Sequence, residues 1–405
     1  MKILLLYILL SVGVVSVSAV EDVQFYTTQF NNAKTVADQL LVVKTVAANY
    51  KEDPQALPFS IAALKRLVAE IPSLRSTREV DIAADIAWYI TELIINLGSE
   101  EVAADPMVGY NLWQTIKTFS NPLVKANAIM AWGVIKDYRY FNEVVQLLDD
   151  LNTTRPLGKA AQLAADRIAF GAVIALESYG SPQGYLPVFF AGNGWYTGWV
   201  RKRAAEALPV ILADPTEALL LVIQNKKYSL VQKNQALQAM DKSTLPDEIK
   251  SQAAVAALFE GWFTDPQTKV ELIELRKHAL DMLNRYAVPD DTAALYGTRN
   301  TVLWLLDRSY RHGADDREQR GAIAALGVIA SDASIKQLGS YLDEIDDRLQ
   351  RGNLTKTDER YARDIILAIG SSANSVVKTT LLYSSNLDWS ASVHQLLNET
   401  LKQLQ

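Results

Sequence analysis

The chain has 405 residues, 49% apolar and 21% charged, which suffices for two or three ordinary domains or one long repeat array and excludes global disorder. Forty Lys and Arg against 46 Asp and Glu leave a formal charge of −6, without the basic excess of a nucleic-acid binder. Cysteine is absent, so disulfides, thiolate catalysis and Cys-ligated zinc are excluded and stability must come from packing.

The chain begins with a leader pattern. Met1-Lys2 is a minimal positive start, Ile3 to Val17 is almost wholly apolar, and Val17-Ser18-Ala19 puts small residues where a signal peptidase reads them. The pattern predicts a signal peptide over 1–19, cleavage after Ala19 and a mature chain from Val20. The alternative is an uncleaved anchor, the one circumstance in which the chain would meet a membrane. The stretch is at the short end for a span of about 20 residues. With no Cys there is no lipoprotein attachment site. An exported chain without cysteine fits a bacterial periplasm better than a eukaryotic extracellular space. Asn152, Asn353 and Asn398, each in Asn-x-Thr, would accept glycans only in the second setting.

After residue 21 apolar residues recur at spacings of three and four, without sustained alternation, which predicts helices throughout. Asn121-Pro122 supplies a cap residue and a first-turn proline. Val124, Ala128, Trp132 and Ile135 then share one face. Lys136-Asp137 marks a turn, and Phe141, Val144, Val145, Leu148 and Leu151 form the face of a second helix. Two such helices cannot bury their faces alone and need neighbours. The neighbours are readable. Val200, Arg201, Ala204, Ala207, Leu208 and Ile211 repeat Val124, Lys125, Ala128, Ala131, Trp132 and Ile135 two units further on. Ala172, Ala175, Leu176 and Tyr179 supply the unit between them. Leu275, Arg276, Ala279, Met282, Leu283 and Tyr286 follow, then Ala322, Ala325, Leu326, Gly327 and Ile329, then Ala362, Ile365, Ile366 and Ile369. The small residues let neighbouring helices approach, and the large ones fill the layer between them.

The string VKANAIMAWGVIKDYRYFNEVVQLL resembles a HEAT-like repeat, and VRKRAAEALPVILADP and REQRGAIAALGVIASD resemble it as closely. The resemblance implies an all-α fold, a right-handed α-solenoid of antiparallel helix pairs forming a HEAT/armadillo-like superhelix. Clear copies cover most of 121–215 and 272–385. The expected organisation is a signal peptide over 1–19, irregular N-terminal helical repeats over 20–120 and a repeat array over 121–405, with a possible irregular hinge at 216–271. Such arrays are mostly scaffolds and a minority are enzymes.

Motifs that carry chemistry are sparse. His278, His312 and His394 fall on different units, and His278 reads as a surface helix residue. The HEAT-like metal hydroxylases carry His-Glu dipeptides for iron, and none occurs here, so no metal site and no cofactor are expected. There is no Gly-x-Ser-x-Gly, Walker loop or dinucleotide fingerprint. Bilin lyases share HEAT-like repeats, but nothing outside the shared core points to lyase chemistry. The acidic groups Asp149-Asp150, Asp290-Asp291, Asp315-Asp316 and Asp343-Glu344 with Asp346-Asp347 read as helix caps and solvated faces.

The most unusual stretch is Tyr185 to Trp199, which gathers Phe189, Phe190, Trp195, Tyr196 and Trp199 around Gly192-Asn193-Gly194. Aromatic groups on a loop suit stacking on sugar rings or anchoring a protein partner. Trp195 and Tyr196 are expected to be partly exposed binding residues and Trp199 a buried helix-entry residue. The other reading makes these aromatics a plug between two units. Tyr138 and Tyr140, at the turn of the best-formed repeat, are a second candidate pair. The functional expectation is an exported, non-catalytic scaffold or adaptor that holds a protein partner on the concave helix face. The alternatives are a carbohydrate- or cell-wall-binding helical module using the 185–199 loop, and a lyase-like enzyme of the HEAT-repeat class.

Overall fold

The computed structural model describes residues 22–404 except Pro289; the leader predicted over 1–19 and the cleavage point after Ala19 lie outside them. Among the described residues the secondary structure is α-helical with short 3-10 turns and no strand. None of these helices is long and apolar enough to cross a membrane. The chain divides into two compact units, Met1–Asp214 and Pro215–Gln405.

In the first unit the helices are α1 (Asp22–Asn32), α2 (Val36–Asn49), α3 (Ala56–Glu70), α4 (Thr77–Leu97), α5 (Pro106–Thr118), α6 (Pro122–Ile135), α7 (Phe141–Thr153), α8 (Lys159–Tyr179), α9 (Tyr185–Asn193) and α10 (Gly198–Ile211). Each odd-numbered helix packs on the even-numbered one after it. The even helices also pack on one another in chain order, from α2 to α10. The second unit repeats this plan with α11 (Thr216–Gln224), α12 (Leu230–Lys242), α13 (Asp247–Phe263), α14 (Val270–Leu283), α15 (Val302–His312), α16 (Asp316–Ile329), α17 (Asp332–Gln350), α18 (Lys356–Ser372), α19 (Lys378–Ser384) and α20 (Ala391–Gln403). Each unit is therefore an all-α solenoid of helix pairs stacked in two rows.

Local sequence sets the helix ends. Asn121 caps α6, its side chain accepting from the Leu123 backbone N–H at 3.0 Å ahead of Pro122. Reciprocal capping boxes, Ser76 with Glu79, Ser229 with Gln232 and Thr355 with Asp358, open α4, α12 and α18. The apolar stripe then meets its neighbours as its period requires. Val124, Ala128, Ala131, Trp132 and Ile135 are buried on α6, as are Val200, Ala204, Ala207 and Ile211 on α10. Each large side chain of that kind contributes roughly 1.5–3 kcal/mol by leaving water.

The even row is held at close range. A β-carbon on Gly133 would lie 2.4 Å from the Ala175 Cα, and one on Gly171 would lie 2.7 Å from the Ala126 carbonyl oxygen, so α6 and α8 touch backbone to backbone. Gly327 occupies the same repeat position as Gly133, and its β-carbon would lie 2.8 Å from Ala368 Cβ, bringing α16 against α18. Several polar bonds between successive repeats share one period. The Tyr138 hydroxyl donates to the Tyr179 carbonyl at 2.8 Å and the Tyr179 hydroxyl to the Asp137 carbonyl at 3.0 Å. In the second unit Arg320 pairs with Asp364 at 2.6 Å, and Arg360 pairs with Asp316. These partners lie 41 to 44 residues apart.

Candidate functional site

The 185–199 stretch is architecture over most of its length. Tyr185–Asn193 is helical, and Tyr185, Phe189 and Phe190 are buried. Tyr196, expected at the surface, is only 2% exposed, and its ring stacks on Trp195 at 4.1 Å between centroids. Burial holds its phenol far above the usual range, with Asp166 and Asp149 adding to the effect. Trp195 is half-buried, and its indole N–H donates to the Leu151 carbonyl at 3.1 Å, closing the C-terminal end of α7. Trp199, expected in the core, is 41% exposed and lies on Phe170 at 4.8 Å. The physical reason is angular. Successive helix residues point about 100° apart, so Trp199 cannot share the core direction of the buried Val200 beside it.

Tyr138 is exposed, although its hydroxyl is engaged with Tyr179. Tyr140 lies flat on Trp132, 4.6 Å away and inclined by 10°, and burial raises its phenol pKa. Two residues read as surface groups have structural partners. His278 sits 3.0 Å from the Asn234 side-chain oxygen and 3.6 Å from Asp241, tying α14 to α12. Asp346 is buried beneath the Ser384 hydroxyl at 3.0 Å and the Trp389 indole N–H at 3.2 Å. Desolvation pushes its carboxyl up to about 6. Among the described residues no three His, Asp or Glu side chains gather as a metal site would require.

The first unit carries a cleft of about 500 Å³ that the sequence does not announce. Its floor is aliphatic, made by Ile129 of α6, Val144, Leu147 and Leu151 of α7 and Ile168 of α8. Trp132 also reaches it, but its indole N–H points away, donating to the Gly109 carbonyl at 3.0 Å. One wall holds Trp113, Lys117 and Lys125; the Lys117 ammonium lies over the Trp113 ring, 5.6 Å from its centroid. The opposite wall is α7, with Glu143, Gln146 and Asp150, where Gln146 donates to Asp150 at 2.7 Å. Among the described residues Lys117, Lys125 and Glu143 form no ion pair.

A groove of about 650 Å³ in the second unit gives the contrast. It runs over α14, α16 and α18, with Val328 and Leu367 exposed along it. Its charges satisfy one another: Arg317 pairs with Asp281 at 2.6 Å and Arg320 with Asp364 at 2.6 Å. Elsewhere in that unit Phe259, Phe263, Tyr296 and Trp304 form an outward aromatic group, with ring centroids 4.2 to 5.6 Å apart. Tyr296 holds a left-handed backbone (φ 47°), uncommon outside glycine. Helical spacing shows the Phe259–Phe263 pair, but Tyr296 joins it only through the fold of the 284–301 loop.

No family model matches the chain, and no curated protein matches it. Among solved structures it is similar to a chain of the crystal complex of SYS-1 and POP-1, at 11% identity, a TM-score of 0.31 and coverage of 94% of this chain and 72% of that one.

Proposed function

We propose that this chain is an exported, non-catalytic scaffold of the HEAT/armadillo type that holds a protein partner in the cleft between α5 and α7. The carrying observation is the contrast between the two grooves. In the second unit the charges at the groove neutralise one another. At the cleft of the first unit, cations and an unpaired carboxylate face each other across an aliphatic floor. Charged groups rimming an apolar centre are the usual anatomy of a protein interface. The strongly displaced acid, Asp346, is held by Ser384 and Trp389 inside the fold. A sugar-binding role for the 185–199 loop loses its support, because Tyr196 is buried and the Trp195 N–H is engaged.

The test is a photo-cross-linking residue placed at Gln146 in living cells. A single adduct, identified by mass spectrometry and lost when Leu147 is replaced by Asp, is the expected result. Adducts only from Leu367 or Phe263 would move the partner to the second unit, and none from any position would end the protein-binding reading. The intact mass of the exported protein should correspond to a chain starting at Val20. A mass that includes Met1 would replace export by anchoring.

A further inference from the structure

The cleft has direction as well as shape. Along α7, Glu143 and Asp150 stand two turns apart, about 10 Å along the helix axis at 1.5 Å per residue. Both are exposed, and between them Leu147 turns towards the floor. Across the opening Lys117, one turn beyond Trp113 on α5, is exposed, and Lys125 of α6 is half-buried. The site is thus a trough with an aliphatic floor, a basic bank from α5 and α6 and an acidic bank two turns long on α7.

Three features decide what fits. The floor offers no free donor or acceptor, because the Trp132 N–H is consumed by Gly109, so a sugar ring would leave its hydroxyls unpaired there. The acidic bank repels a polyanion. The walls are complete helices without a free strand edge, so an extended peptide would find no backbone partners. A segment whose backbone is already internally hydrogen-bonded has no such need.

We propose that the cleft receives a short amphipathic helix of a partner protein. Its apolar stripe lies on Ile129, Leu147 and Leu151, its acidic edge lies against Lys117 and Lys125, and its basic edge lies against Glu143 and Asp150. The proposal rests on the protein-binding reading and adds the class of segment bound. Because the banks differ in sign, they also fix which way along the trough the bound helix runs.

The test uses the full chain and three synthetic helices of equal length that share one Leu stripe. One carries Glu on one edge and Lys on the other, one carries Lys on both edges and one carries Glu on both. Fluorescence anisotropy should show the mixed helix binding at least tenfold more tightly than either uniform one. Lys117→Glu with Lys125→Glu should transfer the preference to the all-Lys helix, and Glu143→Lys with Asp150→Lys should transfer it to the all-Glu helix. These four side chains lie at the rim, and circular dichroism checks that both double variants fold. Equal affinities for the three helices, or an order of preference unchanged in both variants, would overturn the proposal. Binding of none of the helices would also overturn it. In that case a persisting cross-link from Gln146 would leave the protein-binding reading standing, and loss of the cross-link would remove both.

Discussion

At the scale of single residues, the informative side chains are those whose surroundings contradict their type. Asp346 is 1% exposed, and only one of its two oxygens is hydrogen-bonded. Its carboxyl is raised above the unfolded value, so its contribution to stability is fully present below about pH 4 and is lost as the pH rises through about 6. Asp346→Asn keeps an acceptor for Ser384 and Trp389 and removes the buried charge. The variant should therefore be more stable than the parent at pH 7.5 by about 1–2 kcal/mol, with the gain vanishing near pH 4 in urea unfolding. The aromatic loop gives a second prediction. Tyr196→Ala should cost about 3–5 kcal/mol, because it empties a packed site. Trp199→Ala should cost clearly less, because that ring is 41% exposed. A larger loss for Trp199 in chemical denaturation would show that Phe170 and Trp199 form the true junction.

At the scale of the helix, the repeat motif was legible because its positions obey one rule of geometry. The small residues of VKANAIMAWG and REQRGAIAALG sit where α6 meets α8 and α16 meets α18, so the glycine of the motif marks backbone contact. Gly133→Ala and Gly327→Ala should each cost about 1–3 kcal/mol, as should Ala204→Leu and Ala322→Leu, all at fully packed positions. Gly198, at the start of α10 with nothing near its missing β-carbon, is the control, and Gly198→Ala should change stability by no more than about 0.5 kcal/mol. Equal melting temperatures for the control and Gly133→Ala would place the contact elsewhere. The cleft was not legible, for a reason also visible in the motif. The basic position that follows its first apolar residue is Lys125 on α6, Arg201 on α10 and Arg276 on α14. Lys125 lines the cleft and Arg201 is exposed. Arg276 is buried, paired with Glu318 at 2.5 Å and stacked on Trp262. One motif position thus meets three environments, because the neighbouring helix rather than the residue decides what covers it. Asp346 departs from the solvated face its sequence suggests for a related reason. It belongs to α17, which packs on both α18 and α19, and that widens the buried arc beyond the stripe of Leu338, Leu342 and Ile345.

At the scale of the molecule, with each unit taken by itself, acid should act on opposing groups. The Lys277 ammonium and backbone N–H donors hold the Asp315 carboxyl low, and the Ser390 hydroxyl and Arg363 do the same for Glu359. Carboxyls held low contribute stability that is present above the ordinary carboxylate range and is lost as the pH falls through their folded values. Asp346 works in the other direction. Urea midpoints should therefore rise modestly between pH 7 and 5, as Asp346 takes up its proton, and fall between pH 5 and 3. The fall should begin earlier in Asp346→Asn, which lacks the opposing group. A midpoint that rises between pH 5 and 3 would mean that the paired carboxylates contribute nothing.

The spacing of the cross-repeat bonds has a consequence for how such a chain can change its length. Tyr138 finds Tyr179, Arg320 finds Asp364 and Asn374 finds the Ala330 carbonyl, all at separations of 41 to 44 residues. Where these bonds occur, one helix pair carries the half-bond that its successor completes, so that stretch of each unit is written in words of one size. Removing or duplicating a whole word keeps the register that sets glycine against alanine at Gly133 and Gly327. Removing half a word leaves a row of charges and close-contact glycines opposite the wrong face. Such a gene can therefore gain or lose whole pairs of helices at low cost, while shifts of a few residues are confined to the loops between them.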